Sequence, residues 1–220
     1  MSPSRRVPAR SEPGVKRAQI LEAAAGRFGR YGYEETRWAD IATDVGIGST
    51  ALYHYFESKQ HCLFEIMVKA VTEFRERFDG TVGAHDDWSE ALVAVLRGGF
   101  ELTEWEVLRL RVLTAEHGRT AVHSSLPREE AARLSAHAQK RDLEFSWGTF
   151  LTRGMEQGLL PDRDPQLLAR AVIGLYNSVW VWYRPGGSLE LADVGRFFVG
   201  RQLELLGCEP DTAARWLAAA

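Results

Sequence analysis

Four hydrogen-bonding side chains lie close together in one short stretch of the chain and could contact a nucleic acid. They are Ser49, Thr50, Tyr53 and His54. If this stretch is helical, the four share one face, and Leu52 and Phe56 point the other way. Hydroxyls and an imidazole can bond to base edges or to phosphate oxygens. An ordinary solvated helix face with Tyr53 half buried is the alternative interpretation.

A preceding helix and a glycine turn would position these side chains. The apolar residues before the turn recur at the spacing of one helix face: Trp38, Ile41, Ala42 and Val45. Thr36 stands where a helix N-cap would satisfy an orphan backbone N–H. Gly46-Ile47-Gly48 then joins this segment to the second one. Two short helices joined by a glycine turn are the layout of a helix-turn-helix.

The same stretch resembles the signature of TetR-type transcriptional repressors. The resemblance rests on Gly46-Ile47, Leu52-Tyr53-His54-Tyr55-Phe56 and Ser58-Lys59. It implies that Tyr53 and Lys59 contact DNA phosphates. Thr36 and Arg37, which open the first short helix, would contact the DNA backbone, helped by the positive helix N-terminus. The predicted DNA-binding residues are therefore Thr36, Arg37, Ser49, Thr50, Tyr53, His54 and Lys59.

Two positions depart from the usual family pattern. Gly48 stands where Ser is common, and Thr50 stands where Gly is common. Glycine caps a helix slightly less well than serine, and Thr50 adds a β-branched side chain near the bases. We interpret both departures as an altered operator preference.

The charge balance excludes a globally basic protein. The chain of 220 residues carries 27 basic and 30 acidic residues, and 45% of it is hydrophobic, which is enough for a sizeable core. Residues 1–69 carry ten Lys/Arg against eight Asp/Glu, and the remainder carries 17 against 22. A slightly basic N-terminal part on an acidic body is compatible with duplex DNA as a partner.

The sequence indicates a reduced, cytoplasmic protein without a metal ion or a cofactor. Cys62 and Cys208 lack the paired spacing of a metal or redox site and are expected to be packing residues. No apolar run approaches the roughly 20 residues of a membrane span, so no membrane partner is expected. The N-terminus has arginines but lacks the apolar segment of a secretion signal.

Helical periodicity runs through the chain, and no segment has strand periodicity, so the predicted fold is all-α. A disordered basic tail is expected over residues 1–13 and a three-helix helix-turn-helix domain over 14–60. Residues 61–220 would form a larger helical domain that binds an effector and dimerises. Ser58 caps a long helix that leads into this domain and ends in a loop over 80–87. Pro127 opens another helix, which includes the apolar Leu134, and Ser188 starts the last long one.

A second resemblance lies in Val181 to Gly195, whose Trp-Tyr-Arg-Pro-Gly-Gly element is similar to that of a TetR subgroup that includes regulators of fatty-acid and steroid breakdown. In that fold the last two long helices form a four-helix bundle with a twofold mate. The resemblance implies a homodimer that places two recognition helices about 34 Å apart on a palindromic double-stranded DNA operator.

The same resemblance makes the second domain a sensor of a small-molecule effector. Its predicted pocket residues are Phe100, Trp105, Trp147, Phe150, Tyr176 and Trp180; plain interior filling is the alternative for them. The long helix from Ser58 is the expected transmitter to the DNA. The positions before the Trp-Tyr-Arg-Pro element are uncharged, which favours a neutral apolar or aromatic ligand. Four arginines elsewhere could still serve the phosphates of an acyl-CoA: Arg109, Arg111, Arg153 and Arg170.

Two other classes of function compete with this interpretation. An enzyme would have to use His85-Asp86-Asp87 or the scattered His117, His123 and His137, and no Ser-His-Asp order or phosphate loop supports it. A DNA-binding dimer without an effector would differ from a sensor in having a filled core.

Overall fold

The computed structural model describes residues 13–219, which form nine α-helices and two 3₁₀ turns without a β-strand. The expected basic tail lies outside these residues, except for Pro13, which begins the first helix. The helices are α1 (Pro13–Tyr31), α2 (Trp38–Asp44), α3 (Lys59–Gly83), α4 (Trp88–Gly98), α5 (Glu104–Glu116), α6 (Pro127–Glu156), α7 (Pro165–Trp182), α8 (Leu191–Leu205) and α9 (Pro210–Ala219). The prediction of an all-α fold is confirmed.

Local sequence signals account for most helix ends. Ser58 Oγ accepts a hydrogen bond from the backbone N–H of His61 at 2.9 Å and so caps α3. Asp164 caps α7 in the same way, with Pro165 in its first turn. Gly32 and Gly46 have φ values of +93° and +67°, the left-handed conformation that lets the chain leave α1 and α2 sharply.

Two boundary predictions were wrong. Helix α3 continues to Gly83, because the glycines at its end cost helix stability but do not break the backbone hydrogen bonds. Helix α8 begins at Leu191 and not at Ser188. Leu134 is 54% exposed, because Ala132 and Ala136 form the buried face of that part of α6.

Two apolar cores hold the helices together, and α3 belongs to both. The first turns of α3, with Leu63 and Met67, pack under α1 and α2, and the later turns, with Val71 and Phe78, pack among α4 to α8. Ala132 and Ala136 of α6 also join the N-terminal core. The division at residues 60 and 61 remains a prediction, but α3 physically links the two cores.

Within residues 13–219, no helix is long and apolar enough to cross a bilayer.

Candidate functional site

The segment Ser49–His54, here called the recognition segment, is a 3₁₀ turn whose outer face is polar. Leu52 and the following Phe56 are fully buried beneath it. Tyr53 is 57% exposed, and Ser49, Thr50 and His54 are also exposed. The segment is tighter than the α-helix expected from the pattern. Gly48 supplies no side-chain cap, and i→i+3 bonds such as Ala51 N–H to Gly48 O at 2.9 Å close the turn.

Thr36 does not cap α2, contrary to the sequence-based prediction. The N-cap position is Arg37, whose side chain is exposed and makes no capping bond. The Thr36 side chain is only 2% exposed, and its hydroxyl donates to Gly32 O at 2.8 Å. Thr36 therefore fixes the α1–α2 connection, and its hydroxyl is not presented to a DNA phosphate in this conformation.

Lys59, expected at a phosphate, has a second role inside the protein. Its ammonium donates to the carbonyls of Tyr33 at 2.6 Å and Thr36 at 2.9 Å, and it lies 4.0 Å from the centre of the Tyr33 ring. Partial burial lowers the pKa of Lys59. The ammonium thus ties the start of α3 to the α1–α2 connection. Of its three N–H groups one remains for a DNA phosphate, so that contact stays a prediction.

Polar contacts also tie the residues that follow the recognition segment, Tyr55 to Ser58, to the first turn of α6. The Glu57 carboxylate accepts from the backbone N–H groups of Arg128 at 2.8 Å and Glu129 at 2.9 Å. The Arg128 guanidinium donates to Tyr55 O at 2.8 Å, and the Ser58 hydroxyl bonds the Glu129 carboxylate. Sequence reasoning missed these contacts. The available signal was that Leu126, at the N-cap of α6, cannot satisfy the orphan N–H groups of that helix.

A buried histidine of α3 holds the backbone of Glu57, the residue whose carboxylate bonds α6. His61 is 2% exposed, and its Nδ1 accepts from the Glu57 backbone N–H at 3.1 Å. Its Nε2 lies 3.4 Å from the Glu65 carboxylate, which Arg17 also meets at 2.7 Å. The bond from His61 and the guanidinium of Arg17 lower the pKa of Glu65 to about 2. The side chain of Glu57 is thus held at α6 and its backbone at α3.

The larger core encloses a mainly apolar cavity of about 500 Å³. Helix α3 contributes three side chains to its wall, Met67, Val71 and Phe74, and the remaining wall comes from α4 to α8 and the turn His117–Ala121. A volume of this size suits a small organic ligand. Helix α3, which begins five residues after the recognition segment, therefore also forms part of the cavity wall.

Two of the six predicted pocket residues, Trp147 and Tyr176, line this cavity. The other four do not line it. Phe100, Phe150 and Trp180 are buried away from the cavity, where Phe150 stacks on Trp88 and Phe100 packs against Trp180. Trp105 is 45% exposed and packs against α1, where the Arg30 guanidinium lies 5.3 Å from the centre of its ring. Helical spacing marks these residues as apolar but cannot tell core packing from a cavity wall.

The four arginines considered for acyl-CoA phosphates do not line the cavity. Arg109 pairs with Glu73 at 2.8 Å, and Arg170 pairs with Glu144 at 3.1 Å. Arg111 donates to the carbonyls of Gly29 and Tyr183. Among the lining residues of the described chain, Lys140 is the one Lys or Arg, and its side chain is 61% exposed.

The histidine and aspartate cluster considered for catalysis has a structural explanation. Asp87 caps α4 by accepting from the backbone N–H groups of Ser89 and Glu90, and His85 bonds the carbonyl of Thr81. Across residues 13–219, no group of three or more His, Cys, Asp or Glu side chains could hold a metal ion. Cys62 and Cys208 are both buried, as expected of packing residues.

Fold and site together define a helix-turn-helix protein with a second, cavity-containing helical domain. Comparison with known proteins agrees with this class. Residues 20–66 match the model of bacterial regulatory proteins of the tetR family, and residues 102–206 match the tetracyclin repressor-like C-terminal domain.

Curated relatives extend the similarity over most of the chain. The HTH-type transcriptional repressor KstR2 of Mycobacterium tuberculosis (strain ATCC 25618 / H37Rv) is 30% identical over 188 residues, covering 84% of this chain and 89% of the relative. The crystal structure of the TetR family regulator PfmR from Thermus thermophilus is 27% identical, with a TM-score of 0.68, covering 86% and 97% of the two chains. The structure of the ketosteroid transcriptional regulator KstR2 of Mycobacterium tuberculosis is also 27% identical in sequence, with a TM-score of 0.68. The match covers 87% of this chain and 93% of that one.

The chain belongs to the TetR family of helix-turn-helix transcriptional regulators. It is a DNA-binding regulator and not an enzyme, since its relatives are named transcriptional repressors.

The contacts of Lys59 predict a large loss of stability on truncation. Lys59→Ala leaves the Tyr33 and Thr36 carbonyls without their charged donor and should lower the free energy of unfolding by about 2 kcal/mol. Urea denaturation of the purified protein measures this change. Lys69→Ala is the matched control, because Lys69 forms only a surface ion pair with Glu73 and should change stability by less than about 0.5 kcal/mol. Equal effects of the two substitutions would contradict the structural role of Lys59.

Proposed function

We propose that this protein is a ligand-responsive repressor that binds a palindromic operator as a homodimer and is released by a small, mainly apolar effector. The observation that carries the proposal is the course of α3, which starts five residues after the recognition segment and lines the cavity with Met67, Val71 and Phe74. A ligand that favours the cavity geometry least compatible with DNA would lower operator affinity by linkage.

The recognition segment supplies the proposed base and phosphate contacts. Its four exposed polar side chains stand on a buried apolar base, so they can enter a groove without disturbing the core. Arg37 lies exposed at the N-terminus of α2, where its guanidinium is free of any capping bond and would contact the DNA backbone. Tyr53 and Lys59 would contact phosphates, and Thr50 would influence which bases are accepted.

An exposed face of α7 and α8 supports the proposed dimer. Helix α7 presents a stripe of small and apolar residues at helical spacing to the outside: Leu167, Ala171, Gly174, Ser178 and Val181. Arg170 is the one charged residue of α7 and is not part of this stripe. On α8, Phe197 is 61% exposed. Contiguous exposed apolar surface of this kind marks an interface, and small residues let a partner helix approach closely.

The cavity favours a neutral apolar effector over an acyl-CoA. Its walls are mostly apolar. Outside the cavity, carboxylates hold Arg109 and Arg170, and backbone carbonyls hold Arg111. CoA phosphates would need cations that the enclosed part of the cavity does not offer. The similar KstR2 is described as a ketosteroid regulator, which makes a steroid ketone a reasonable first probe.

The DNA face predicts different effects for two substitutions. Tyr53→Phe removes one hydroxyl from a phosphate contact and should weaken binding to all operator variants alike, by roughly fivefold. Thr50→Gly removes a side chain next to the bases and should change the order of preferred operators. A binding screen over an operator library measures both. Unchanged preference in Thr50→Gly would contradict the role proposed for Thr50.

The proposed interface predicts loss of dimerisation when a charge is placed on α7. Val181→Asp should give a monomer by light scattering and weaken operator binding on the order of 100-fold, because the two half-sites would be bound independently. Leu134→Asp is the matched control, since Leu134 is similarly exposed but lies on α6. A dimeric Val181→Asp protein, or equal effects of both substitutions, would rule out this face.

The effector proposal predicts selective ligand binding. Calorimetric titration with 5α-androstan-17-one should show binding, and the same ligand should dissociate the protein–operator complex. Ile173→Trp fills part of the cavity and should abolish this response while leaving operator binding intact. Tight binding of oleoyl-CoA would overturn the preference for a neutral ligand. Operator binding that neither compound changes would favour the alternative, a DNA-binding dimer without an effector.

A further inference from the structure

One short turn both borders the cavity and contacts the helix-turn-helix. The 3₁₀ turn His117–Ala121, here called the rim turn, contributes all of its residues except Arg119 to the cavity wall. Three of these four wall residues are exposed, as are His137 and Lys140 on the facing part of α6, whereas the other wall residues are buried or partly buried. The cavity therefore opens towards solvent between the rim turn and α6.

Few bonds hold the rim turn in place. Arg133 Nη1 and His137 Nε2, both on α6, donate to Thr120 O at 2.7 Å each. Within the turn, the Thr120 hydroxyl donates to His117 O at 2.7 Å. None of the five residues is buried. A short 3₁₀ turn without buried side chains belongs to the least stable parts of a fold, so a ligand in the cavity can shift it at low cost.

Arg119, the residue of the rim turn outside the cavity wall, reaches the connection between α1 and α2. Its guanidinium bonds the carboxylates of Glu34 and Glu116 and lies 4.5 Å from the centre of the Tyr33 ring. The Lys59 ammonium, which donates to Tyr33 O, lies 4.0 Å from the centre of the same ring. One aromatic ring therefore contacts a cation of the rim turn and a cation of α3.

The ring contact matters more than the ion pair with Glu34. The Glu34 carboxylate is 70% exposed, and an ion pair with such an exposed partner contributes little. Tyr33 is 7% exposed and packs edge-on against Phe28 of α1, with ring centroids 5.1 Å apart, and a cation–π contact strengthens as it loses water. Since Arg119 and Lys59 are like charges at one ring, movement of the guanidinium also changes the electrostatic field at Lys59.

We propose that Arg119 couples occupancy of the cavity to DNA binding. A ligand that displaces the rim turn moves the guanidinium relative to Tyr33, and this changes the α1–α2 connection and the surroundings of Lys59. The inference rests on the proposed effector function and names a residue that transmits its regulation. Arg119 is a positioning residue, since it does not line the cavity and is not one of the predicted DNA contacts. It acts on the α1–α2 connection, alongside the routes through α3 and α6 to the recognition segment.

The first experiment measures how strongly 5α-androstan-17-one weakens operator binding by the full chain, using an operator selected from the library. We expect the steroid to lower operator affinity on the order of tenfold in wild type and by less than about threefold in Arg119→Gln. Calorimetric titration should show that Arg119→Gln still binds the steroid, because Arg119 is not part of the cavity wall. Arg119→Lys keeps a cation near Tyr33 and should respond more strongly than Arg119→Gln.

The matched control is Arg109→Gln. Arg109 lies on α5 and pairs with Glu73 of α3 at 2.8 Å, so its substitution also removes an arginine–carboxylate pair, but one on the later turns of α3. Its response to the steroid should equal that of wild type. Thermal unfolding confirms that each variant is folded.

A second experiment tests the same connection without an effector. The Val122 N–H donates to Arg119 O at 3.2 Å, so hydrogen exchange of this amide reports on the rim turn. Operator binding holds the α1–α2 connection and should slow this exchange on the order of fivefold in wild type and in Arg109→Gln, but not in Arg119→Gln.

The two experiments separate the role of Arg119 from the effector function. If wild type responds to the steroid and Arg119→Gln responds equally, or if Arg119→Gln keeps the wild-type change in exchange, Arg119 does not couple the two sites, while the effector function stands. If the steroid leaves operator binding by wild type unchanged, the proposed effector function fails, and the exchange of the Val122 amide decides the role of Arg119.

Discussion

Burial of Leu52 and Phe56 beneath the recognition segment is the contact on which the DNA-binding surface depends. A six-residue 3₁₀ turn has no stability of its own, so its conformation comes from the core below it and from the chain on either side. Phe56 packs edge-on against both Trp38 and His61. This aromatic contact joins α2 and α3 through the residue that follows the recognition segment, and with buried Leu52 it determines which side chains face outward.

Two separate paths lead from this surface to the cavity. One is α3, a continuous helix that belongs to both apolar cores. The other is α6, whose first turn is held by the Glu57 carboxylate and whose later turns line the cavity with Leu143 and Trp147. A change in cavity shape therefore reaches both ends of the short stretch from Tyr55 to Lys59. A rigid-body shift of the recognition segment is a simpler consequence of this arrangement than a change in its internal structure.

The fold could be predicted from the sequence because its signals are local. Apolar spacing, the Ser58 and Asp164 caps and the glycine turn each depend on a few neighbouring residues. The cavity wall could not be predicted, since Phe100 and Tyr176 have the same helical signature, and only packing between helices separates core from cavity. The bond from Glu57 to α6 spans 71 residues, so no local pattern could reveal it. Thr36 was misassigned because its hydroxyl bonds backward to Gly32 and not forward into α2.

The capping of α6 by a residue distant in sequence also limits how freely the domains of such regulators can be swapped. The helix receives its N-terminal acceptor from Glu57, in the helix-turn-helix, because Leu126 offers none. A chimaeric regulator that joins this C-terminal domain to a foreign DNA-binding unit would lose that carboxylate unless the graft keeps an acidic residue there. Cutting the two units apart within α3 would separate Glu57 from the helix that it completes. The two hydrogen bonds from the Glu57 carboxylate to backbone N–H groups of α6 therefore constrain modular exchange in this protein, even where the apolar surfaces of the two units match.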